Sequence, residues 1–266
     1  GPVNVLANDT DPDGGAPTSI TSATIDTNGD GTADPLTLGA ATAITDSSGN
    51  PIGTITVAGN GEVTFVPAPN YTGAVPVLTY TPNDGTVDGT TATVSFTIIP
   101  VNDAPNGTDK TLTVAEDDTY TLTAGDFGFT DAIDGASASG ANQLLSVVIT
   151  TLPTNGTLTL DGVDVLQGDE ISTADIAAGK LVWTPPADFN NIAGTAAGGG
   201  TLAQPSFTFQ LRDDGGTADG GVDLDSVANT ITFNVVAVGD AVDDTVSTNE
   251  DTLVTVKVLT GDVNGP

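Results

Sequence analysis

Residues 25–35, IDTNGDGTADP, carry oxygen-bearing side chains at the spacing of a calcium-binding loop. The four candidate ligands occupy loop positions 1, 3, 5 and 9: Asp26, Asn28, Asp30 and Asp34. Gly31 stands at position 6, but position 12 is Thr37 instead of glutamate and no helical pattern flanks the loop, so it is not an EF-hand. Asn28-Gly29 is also a strong hairpin-turn signal, which leaves a plain turn as the alternative. We predict a calcium site that also turns the chain.

The charge balance favours cations as ligands over nucleic acid or membranes. The 266-residue chain has 4 Lys+Arg against 35 Asp+Glu and a net charge of −31, and only four of its acids are glutamates. Aspartate has a short side chain that suits turns and tight oxygen cages, so this bias favours calcium-binding loops. A solvated acidic surface, as in a salt-adapted protein, is the alternative. A polyanion repels nucleic acid and anionic membranes, and we expect neither as a partner.

Missing residue types narrow the chemistry further. With His 0 and Cys 0, the chain lacks the commonest general base, the thiol nucleophile, all zinc chemistry and all disulfides. Acidic pairs occur throughout, so their pairing says nothing about glycosidase chemistry, and no serine stands in a nucleophile-elbow context. We expect no enzyme. No apolar run approaches about 18 residues, so no membrane-spanning helix is predicted. The opening GPVNVLAND, with no signal peptide or initiator methionine, predicts a segment cut from a longer chain.

Alternation with a period of two residues dominates the chain and predicts an all-β protein. Typical segments are EVTFV, TATVSFTII, KTLTVA, KLVW, PSFTFQL and NTITFNVV, separated by Gly, Asn, Asp and Pro clusters. This pattern is typical of Ig-like or cadherin-like β-sandwiches in tandem. One short helix is predicted at STADIAAG, where Ser172 caps it, Asp175 completes the capping motif and Gly179 ends it.

Internal repetition sets the predicted domain boundaries. GEVTFVPAPNYTG resembles GKLVWTPPADFNN, and FTIIPVNDAP resembles FNVVAVGDAV, which matches Asp103 to Asp240. DKTLTVAEDD likewise resembles DDTVSTNED, which matches Glu116 to Glu250. We predict a first sandwich at 1–103 that lacks its opening strand, a second at 104–240, and the opening strands of a third repeat at 241–266.

Around PVNDAP and the acidic AEDD strand end, the sequence resembles the cadherin-like tandem repeats of giant bacterial surface adhesins, including RTX-type adhesins. The second repeat is also similar to the cadherin-related repeats of chondroitin-sulfate-proteoglycan type. The resemblance implies a string of β-sandwiches whose junctions bind calcium and whose function is cell adhesion or biofilm formation at the bacterial surface. The linker departs from the cadherin pattern D-x-N-D-x-x-P, because Pro100 replaces the leading Asp and Pro105 falls one position early.

Strand directions predict which acids converge. The linker enters the second domain at one end, and alternating strand directions bring the following acids and one amide to that end: Asn102, Asp103, Asp126, Asp131, Asp134, and Asp213 or Asp214. Clustered carboxylates repel one another unless a cation lies among them, and calcium accepts 6–8 oxygens in loose geometry.

Two further groups follow from the same topology. At the opposite end of the second domain, Glu116 is predicted to meet Asp240 together with Asp262 and Asn264 of the third repeat. In the first domain, NDTDPDGG places Asp9, Asp11 and Asp13 near Asp84. A solvated loop or a capped turn is the alternative for each acid.

Three functions remain open on the sequence alone. The first is a structural extender that calcium makes rigid, in contact with neighbouring repeats of its own chain. The second is a head-to-tail fibre subunit, in which the strand TLVTVKVL near the C-terminus completes the first repeat of the next identical copy. The third is a carbohydrate- or peptide-binding module, although one Trp and three Tyr provide little aromatic platform.

Overall fold

The computed structural model describes residues 1–11, 16–137, 140–187, 189, 191, 203–240, 245–255 and 263–264. The chain forms two compact units, one comprising Gly1–Val101 with Ile133–Ala141 and the other Asn102–Ala132 with Asn142–Pro266. Both are built from short strands, so the predicted all-β fold class is confirmed. The helices of the described residues are all too short to cross a membrane.

The first unit places eight strands in two four-stranded sheets. The strands are β1 Val3–Asn4, β2 Ser19–Ile25, β3 Asp34–Pro35, β4 Ala41–Thr45, β5 Pro51–Val57, β6 Glu62–Pro67, β7 Leu78–Asn83 and β8 Ala92–Val94. One sheet has the order β1-β6-β5-β4 and the other β3-β2-β7-β8. Alternating apolar side chains of both sheets, such as Ile25, Ile55 and Leu78, are fully buried and form one core.

The second unit has the larger core. Its strands are β9 Lys110–Ala115, β10 Tyr120–Thr121, β11 Leu144–Ile149, β12 Thr157–Leu160, β13 Val163–Asp164, β14 Glu170–Ser172, β15 Leu181–Thr184, β16 Ser206–Asp213, β17 Asn229–Val236, β18 Gly239–Asp240 and β19 Val263–Asn264. Sheets β10-β15-β12-β13 and β14-β11-β16-β17-β9 enclose the core, and β18 pairs with β19. Trp183 of one sheet stacks on Phe233 of the other, with ring centroids 3.9 Å apart.

Two pairings fix the strand directions on which the sequence prediction relied. β16 and β17 form the expected antiparallel hairpin. β17 then pairs in parallel with β9 over six residues, from Ile231 opposite Lys110 to Val236 opposite Ala115. The two strands therefore run in the same direction, as expected from KTLTVA and NTITFNVV.

The predicted helix is confirmed as α2, Thr173–Ala177, and a second short helix, α1, spans Ala132–Gly135. Ser172 caps α2 by accepting a hydrogen bond from the amide of Asp175, and Gly179 leaves it with a φ of 71°. Three 3₁₀ turns lie at Val5–Asn8, Ala124–Asp126 and Ala218–Gly220.

One predicted strand is shorter than expected. TATVSFTII was predicted as a single strand, but only Ala92–Val94 is paired, with β7. In TLVTVKVL, residues 252–255 form no strand, and the remaining residues lie outside the described part of the chain.

Candidate functional site

The strand period brings one carboxylate to the inner face of the second unit. Along β16, Phe207, Phe209, Leu211 and Asp213 are buried while the intervening residues are half-buried. Asp213 is the last residue of the strand and is only 1% exposed. It is therefore an acidic side chain at a core-facing position, at the edge of the sheet. Asp214, one residue on, is exposed and accepts a hydrogen bond from the amide of Gln143 at 2.7 Å.

Asn102, in the segment PVNDAP, ties this strand end to the linker. The side-chain nitrogen of Asn102 donates a hydrogen bond to Asp213 Oδ1 at 3.0 Å and also lies 2.9 Å from the main-chain carbonyl oxygen of Val222. The main-chain carbonyl oxygen of Asn102 accepts a hydrogen bond from the main-chain amide of Val222 at 2.9 Å. The side-chain oxygen of Asn102 accepts a hydrogen bond from the side chain of Asn142. Its side-chain and main-chain bonds thus fix Asn102 at the end of β16.

Asp131 is the second buried carboxylate of this group. It is 8% exposed, and its Oδ2 accepts a hydrogen bond from the amide of Asn142 at 2.7 Å. Because Asn142 bonds both Asp131 and Asn102, it connects the loop after β10 with the linker. We call Asn102, Asp131, Asn142 and Asp213 the linker cluster.

Each carboxylate of the linker cluster keeps one buried oxygen without a partner. Asp131 Oδ1 and Asp213 Oδ2 are inaccessible to solvent and accept no hydrogen bond from the described residues. Burial raises the pKa of Asp213, and the negative charges of Asp131 and Asp223 raise it further, although donors from Gly215 and Asn102 oppose the shift. Two unsatisfied oxygens of like charge are costly in a folded protein and are favourable only next to a cation.

The chemistry of the linker cluster fits a hard cation better than any other ligand. It offers carboxylate, amide and main-chain carbonyl oxygens, which are calcium ligands, and no nitrogen or sulfur ligand. Space beside the linker cluster is tight, because a Cβ on Gly215 would clash with the side-chain oxygen of Asn102. Among the described residues, no three Asp or Glu carboxylates are grouped closely enough to form a complete acidic cage. Amide and carbonyl oxygens would therefore supply part of the coordination.

The other acids predicted for this junction are Asp103, Asp126 and Asp134. Asp103 is half-buried on the linker, next to Asn102. Asp134 is buried in α1, within residues 133–141 that belong to the first unit. Asp126 bonds elsewhere: it accepts hydrogen bonds from the Thr123 amide at 2.8 Å and from Lys110 Nζ at 2.8 Å. Although burial raises the pKa of Asp126, Lys110 and Thr123 outweigh this and lower it.

At the other end of the second unit, Glu116 is buried directly after β9. It is 1% exposed, and its Oε1 accepts a hydrogen bond from the amide of Val238 at 2.8 Å. The backbone of Asp240 pairs with that of Val263, so residues 263–264 lie beside residues 239–240. The side chains of Asp240 and Asn264, and all of Asp262, lie outside the described residues.

In the loop of residues 25–35, the acids and Asn28 accept hydrogen bonds from nearby donors. Asp26 accepts the amides of Gly29 at 2.7 Å and Gly31 at 2.8 Å, and Asp30 accepts that of Thr32 at 2.7 Å. Desolvation raises the pKa of Asp26, but these amides outweigh it and lower the pKa. Asp34 instead accepts the amide of Thr27 at 3.1 Å, which closes the loop. The loop is thus an ordered turn, and calcium there remains a prediction.

The acids of the first unit line an open groove of about 630 Å³. Asp9, Asp11, Asp84 and Asp88 contribute to its wall. Asp9 accepts a hydrogen bond from the hydroxyl of Tyr80 at 2.9 Å, and burial together with this bond raises the pKa of Tyr80 to about 12. Asp84 accepts two amide hydrogen bonds of its own loop. Asp13 lies outside the described residues.

Sequence reasoning missed two residues. Asn142 of the linker cluster stands in an irregular loop, where no periodicity or motif marks it. Asp225 is 3% exposed and accepts the amides of Gly107 and Val227, both at 2.9 Å. The carboxylate of Asp225 thus accepts hydrogen bonds from main-chain amides, and the one from Gly107 holds the segment that follows the linker.

The described units are all-β, with mostly antiparallel strands, and one family model matches part of the first unit. The family model of the Cadherin-like domain matches residues 30–99. No curated protein sequence matches the chain.

Solved structures that match the chain include human CDH23 EC21-23, with 17% identity, a TM-score of 0.43 and coverage of 96% of this chain and 76% of that one. Human mucin-like protocadherin EC1-2 has 14% identity, a TM-score of 0.36 and coverage of 80% and 98%. Surface layer protein SbsC, domains 4-9, has 14% identity, a TM-score of 0.25 and coverage of 85% and 32%.

Proposed function

We propose that this chain is a non-catalytic extender segment of a large bacterial surface adhesin, and that calcium stiffens it. The observation that carries the proposal is the pair of buried, unpartnered oxygens on Asp131 and Asp213. The cadherin-like match over residues 30–99 and the repeated PVNDAP-type junctions support an extracellular adhesive array, with cell adhesion or biofilm formation as its role.

Calcium at the linker cluster would couple a loop, a strand end and the linker. Asp131 and Asp213 would hold the ion through their free oxygens, while Asn102 keeps the linker against the end of β16. When bound, the ion supplies the positive charge that the pair lacks. Without it, repulsion between Asp131 and Asp213 works against the packing of the linker on the second unit.

The same groups argue against catalysis. Neither buried oxygen faces an open cleft among the described residues, since both are inaccessible to solvent. Asp213 Oδ1 is held by Asn102 and by the amide of Gly215 at 2.9 Å, which suits a fixed ligand better than a proton carrier. The geometry supports a structural role in which order, and not turnover, depends on the ion.

Small-angle scattering of the chain in calcium and in a calcium chelator tests this proposal. We expect a longer maximum dimension and lower flexibility in calcium. Asp213→Asn should remove the calcium-dependent difference, whereas Asp225→Asn, a buried acid bonded only to main-chain amides, should retain it. Identical scattering with and without calcium would contradict the proposal.

A further inference from the structure

Five Asn-Gly pairs occur in the chain, and both residues are described in four of them: Asn28-Gly29, Asn60-Gly61, Asn106-Gly107 and Asn155-Gly156. This dipeptide is prone to lose the asparagine amide, because glycine has no side chain to shield its main-chain nitrogen. That nitrogen attacks the side-chain carbonyl carbon of the asparagine and closes a five-membered succinimide ring. All four asparagines are exposed, so exposure does not distinguish them.

In the first three pairs, a hydrogen bond holds the main-chain amide of the glycine. The acceptors, in chain order, are Asp26 Oδ1 at 2.7 Å, the carbonyl oxygen of Ala58 at 3.0 Å and Asp225 Oδ2 at 2.9 Å. Such an amide must leave its acceptor before its nitrogen can attack, and breaking that hydrogen bond costs free energy. The side chains of Asn28 and Asn60 are also held, since each bonds the residue two positions further along.

The fourth pair, Asn155-Gly156, has neither restraint. Within the described part of the chain, the amide of Gly156 and the side chain of Asn155 have no hydrogen-bond partner. The chain on both sides is anchored, because the amide of Thr154 donates to the carbonyl oxygen of Ser206 at 3.2 Å and Thr157 begins β12. The reactive groups are therefore free within an ordered turn, in which Gly156 has a φ of 75°.

Trp183 activates the peptide group that joins this pair. Its indole Nε1 donates a hydrogen bond to the main-chain carbonyl oxygen of Asn155 at 3.3 Å. A donor on this oxygen draws electron density from the peptide group, so the N–H of Gly156 loses its proton to solvent more readily. Once the ring has formed, the same donor polarises the main-chain carbonyl carbon of Asn155 and favours the attack of water there.

We propose that Asn155 is a site of spontaneous modification, at which the asparagine is converted mainly to isoaspartate and otherwise to aspartate. The deprotonated nitrogen of Gly156 bonds to the side-chain carbonyl carbon of Asn155. The side-chain nitrogen of Asn155 takes up a proton from solvent and leaves as ammonia, so one C–N bond replaces another. Water then opens the succinimide at the main-chain carbonyl carbon to give isoaspartate, or at the side-chain carbonyl carbon to give aspartate.

The modification changes the second unit beside its core. Isoaspartate adds one negative charge and lengthens the main chain of the turn by one methylene group. The inner side of the turn has no room for it, because a Cβ on Gly156 would clash with the main-chain oxygen of Thr184 and with the indole ring of Trp183. Trp183 in turn stacks on Phe233 of the other sheet. The stability of the second unit therefore falls with the age of the chain.

Ageing of the intact, folded chain in a mildly alkaline buffer, followed by tryptic digestion and mass spectrometry, tests the site. Trypsin cuts after Lys110 and Lys180, so Asn155 lies in a peptide with no other Asn-Gly pair. Fragment ions locate the conversion of an amide to an acid in the other peptides. The matched control is Asn106, which is also followed by Gly-Thr but whose glycine amide bonds Asp225. We expect Asn155 to convert about tenfold faster than Asn106, or more.

The same ageing in urea separates the effect of structure from that of sequence. In the unfolded chain no hydrogen bond holds the glycine amides, so Asn106 and Asn155 should convert at similar rates. In the folded chain, Asp26→Ala removes the acceptor of the Gly29 amide in an exposed turn and should accelerate the conversion of Asn28. Conversion of Asn155 in the folded chain at less than about ten times the rate of Asn106 would overturn the proposal.

Urea unfolding followed by Trp183 fluorescence gives the second readout. We expect the unfolding midpoint to fall in step with the conversion of Asn155. Asn155→Gln, which would have to close a six-membered ring, should abolish both changes. Asn155→Asp adds the charge without lengthening the main chain, so it should be more stable than the aged chain. A midpoint that stays constant while Asn155 converts would overturn the effect on the core.

Discussion

Replacing Asp213 by Asn should change the stability of the second unit in opposite directions with and without calcium. The substitution keeps the shape of the side chain, and its oxygen can still accept hydrogen bonds from Asn102 and Gly215. It removes the negative charge from the buried Oδ2 and introduces a donor beside Asp131. The variant therefore relieves the repulsion and loses the ion-binding charge.

The unpartnered oxygens of the linker cluster allow an estimate of how Asp213→Asn changes stability without and with calcium. A buried, unsatisfied polar atom costs about 1–3 kcal/mol, so without calcium the variant should be more stable by about that amount. For a domain of this size, the gain corresponds to a rise of about 2–10 °C in the unfolding midpoint. In calcium at about 100 times the dissociation constant, the wild type gains about 2.7 kcal/mol and the variant gains little. In calcium, the stability advantage of Asp213→Asn over the wild type should therefore disappear or reverse.

Trp183 fluorescence measures this directly, because the chain has Trp 1 and this residue is buried against Phe233. Urea unfolding of the wild type and of Asp213→Asn is compared in chelator and in calcium. An Asp213→Asn variant that is less stable than the wild type in chelator would refute the claim that the two carboxylates oppose each other.

Two further substitutions probe the surroundings of the linker cluster. Gly215→Ala places a methyl group against Asn102 and should destabilise the second unit by about 1–3 kcal/mol in urea unfolding. It should also weaken calcium binding at least tenfold in calorimetry. The control is Gly125→Ala, whose Cβ would meet its nearest neighbour at 3.9 Å and which should change neither the stability nor calcium binding. Similar results for both glycines would argue against a tight cluster. Lys110→Met removes the ion-pair partner of Asp126, whose pKa is lowered in the folded state. At pH values above the ordinary aspartate pKa of 3.8, the variant should be less stable to unfolding than the wild type by about 1 kcal/mol. This difference in stability should disappear as the pH falls through the lowered pKa of folded Asp126. A cost of Lys110→Met that persists in acid would show that the lysine stabilises by packing instead.

The sequence predicts the fold well because its signals are local and repeated. KTLTVA and NTITFNVV coincide with β9 and β17, and the helix at STADIAAG begins and ends at the predicted capping residues. Pairing is less local, and TATVSFTII shows the limit: the pattern of a strand is present, but only Ala92–Val94 has a neighbour to pair with.

In the linker cluster, only the residue that continues the alternation of a strand, Asp213, could be predicted from the sequence. The sequence left Asp213 and Asp214 as alternatives, and continuing the alternation of PSFTFQL by two residues would have placed Asp213 inside. Asp126 was assigned to the junction from strand direction, although Thr123 stands three residues before it and marks a helix cap. Asn142 could not be predicted, because its position depends on how an irregular loop packs.

Calorimetric titration of the chain with calcium tests the central claim most directly. The account predicts binding that Asp131→Asn and Asp213→Asn each weaken strongly, that Asp225→Asn leaves intact, and that magnesium reproduces poorly because it tolerates irregular oxygen geometry less well. Calcium binding with unchanged affinity in both Asp131→Asn and Asp213→Asn, or no binding by the wild-type chain, would contradict it.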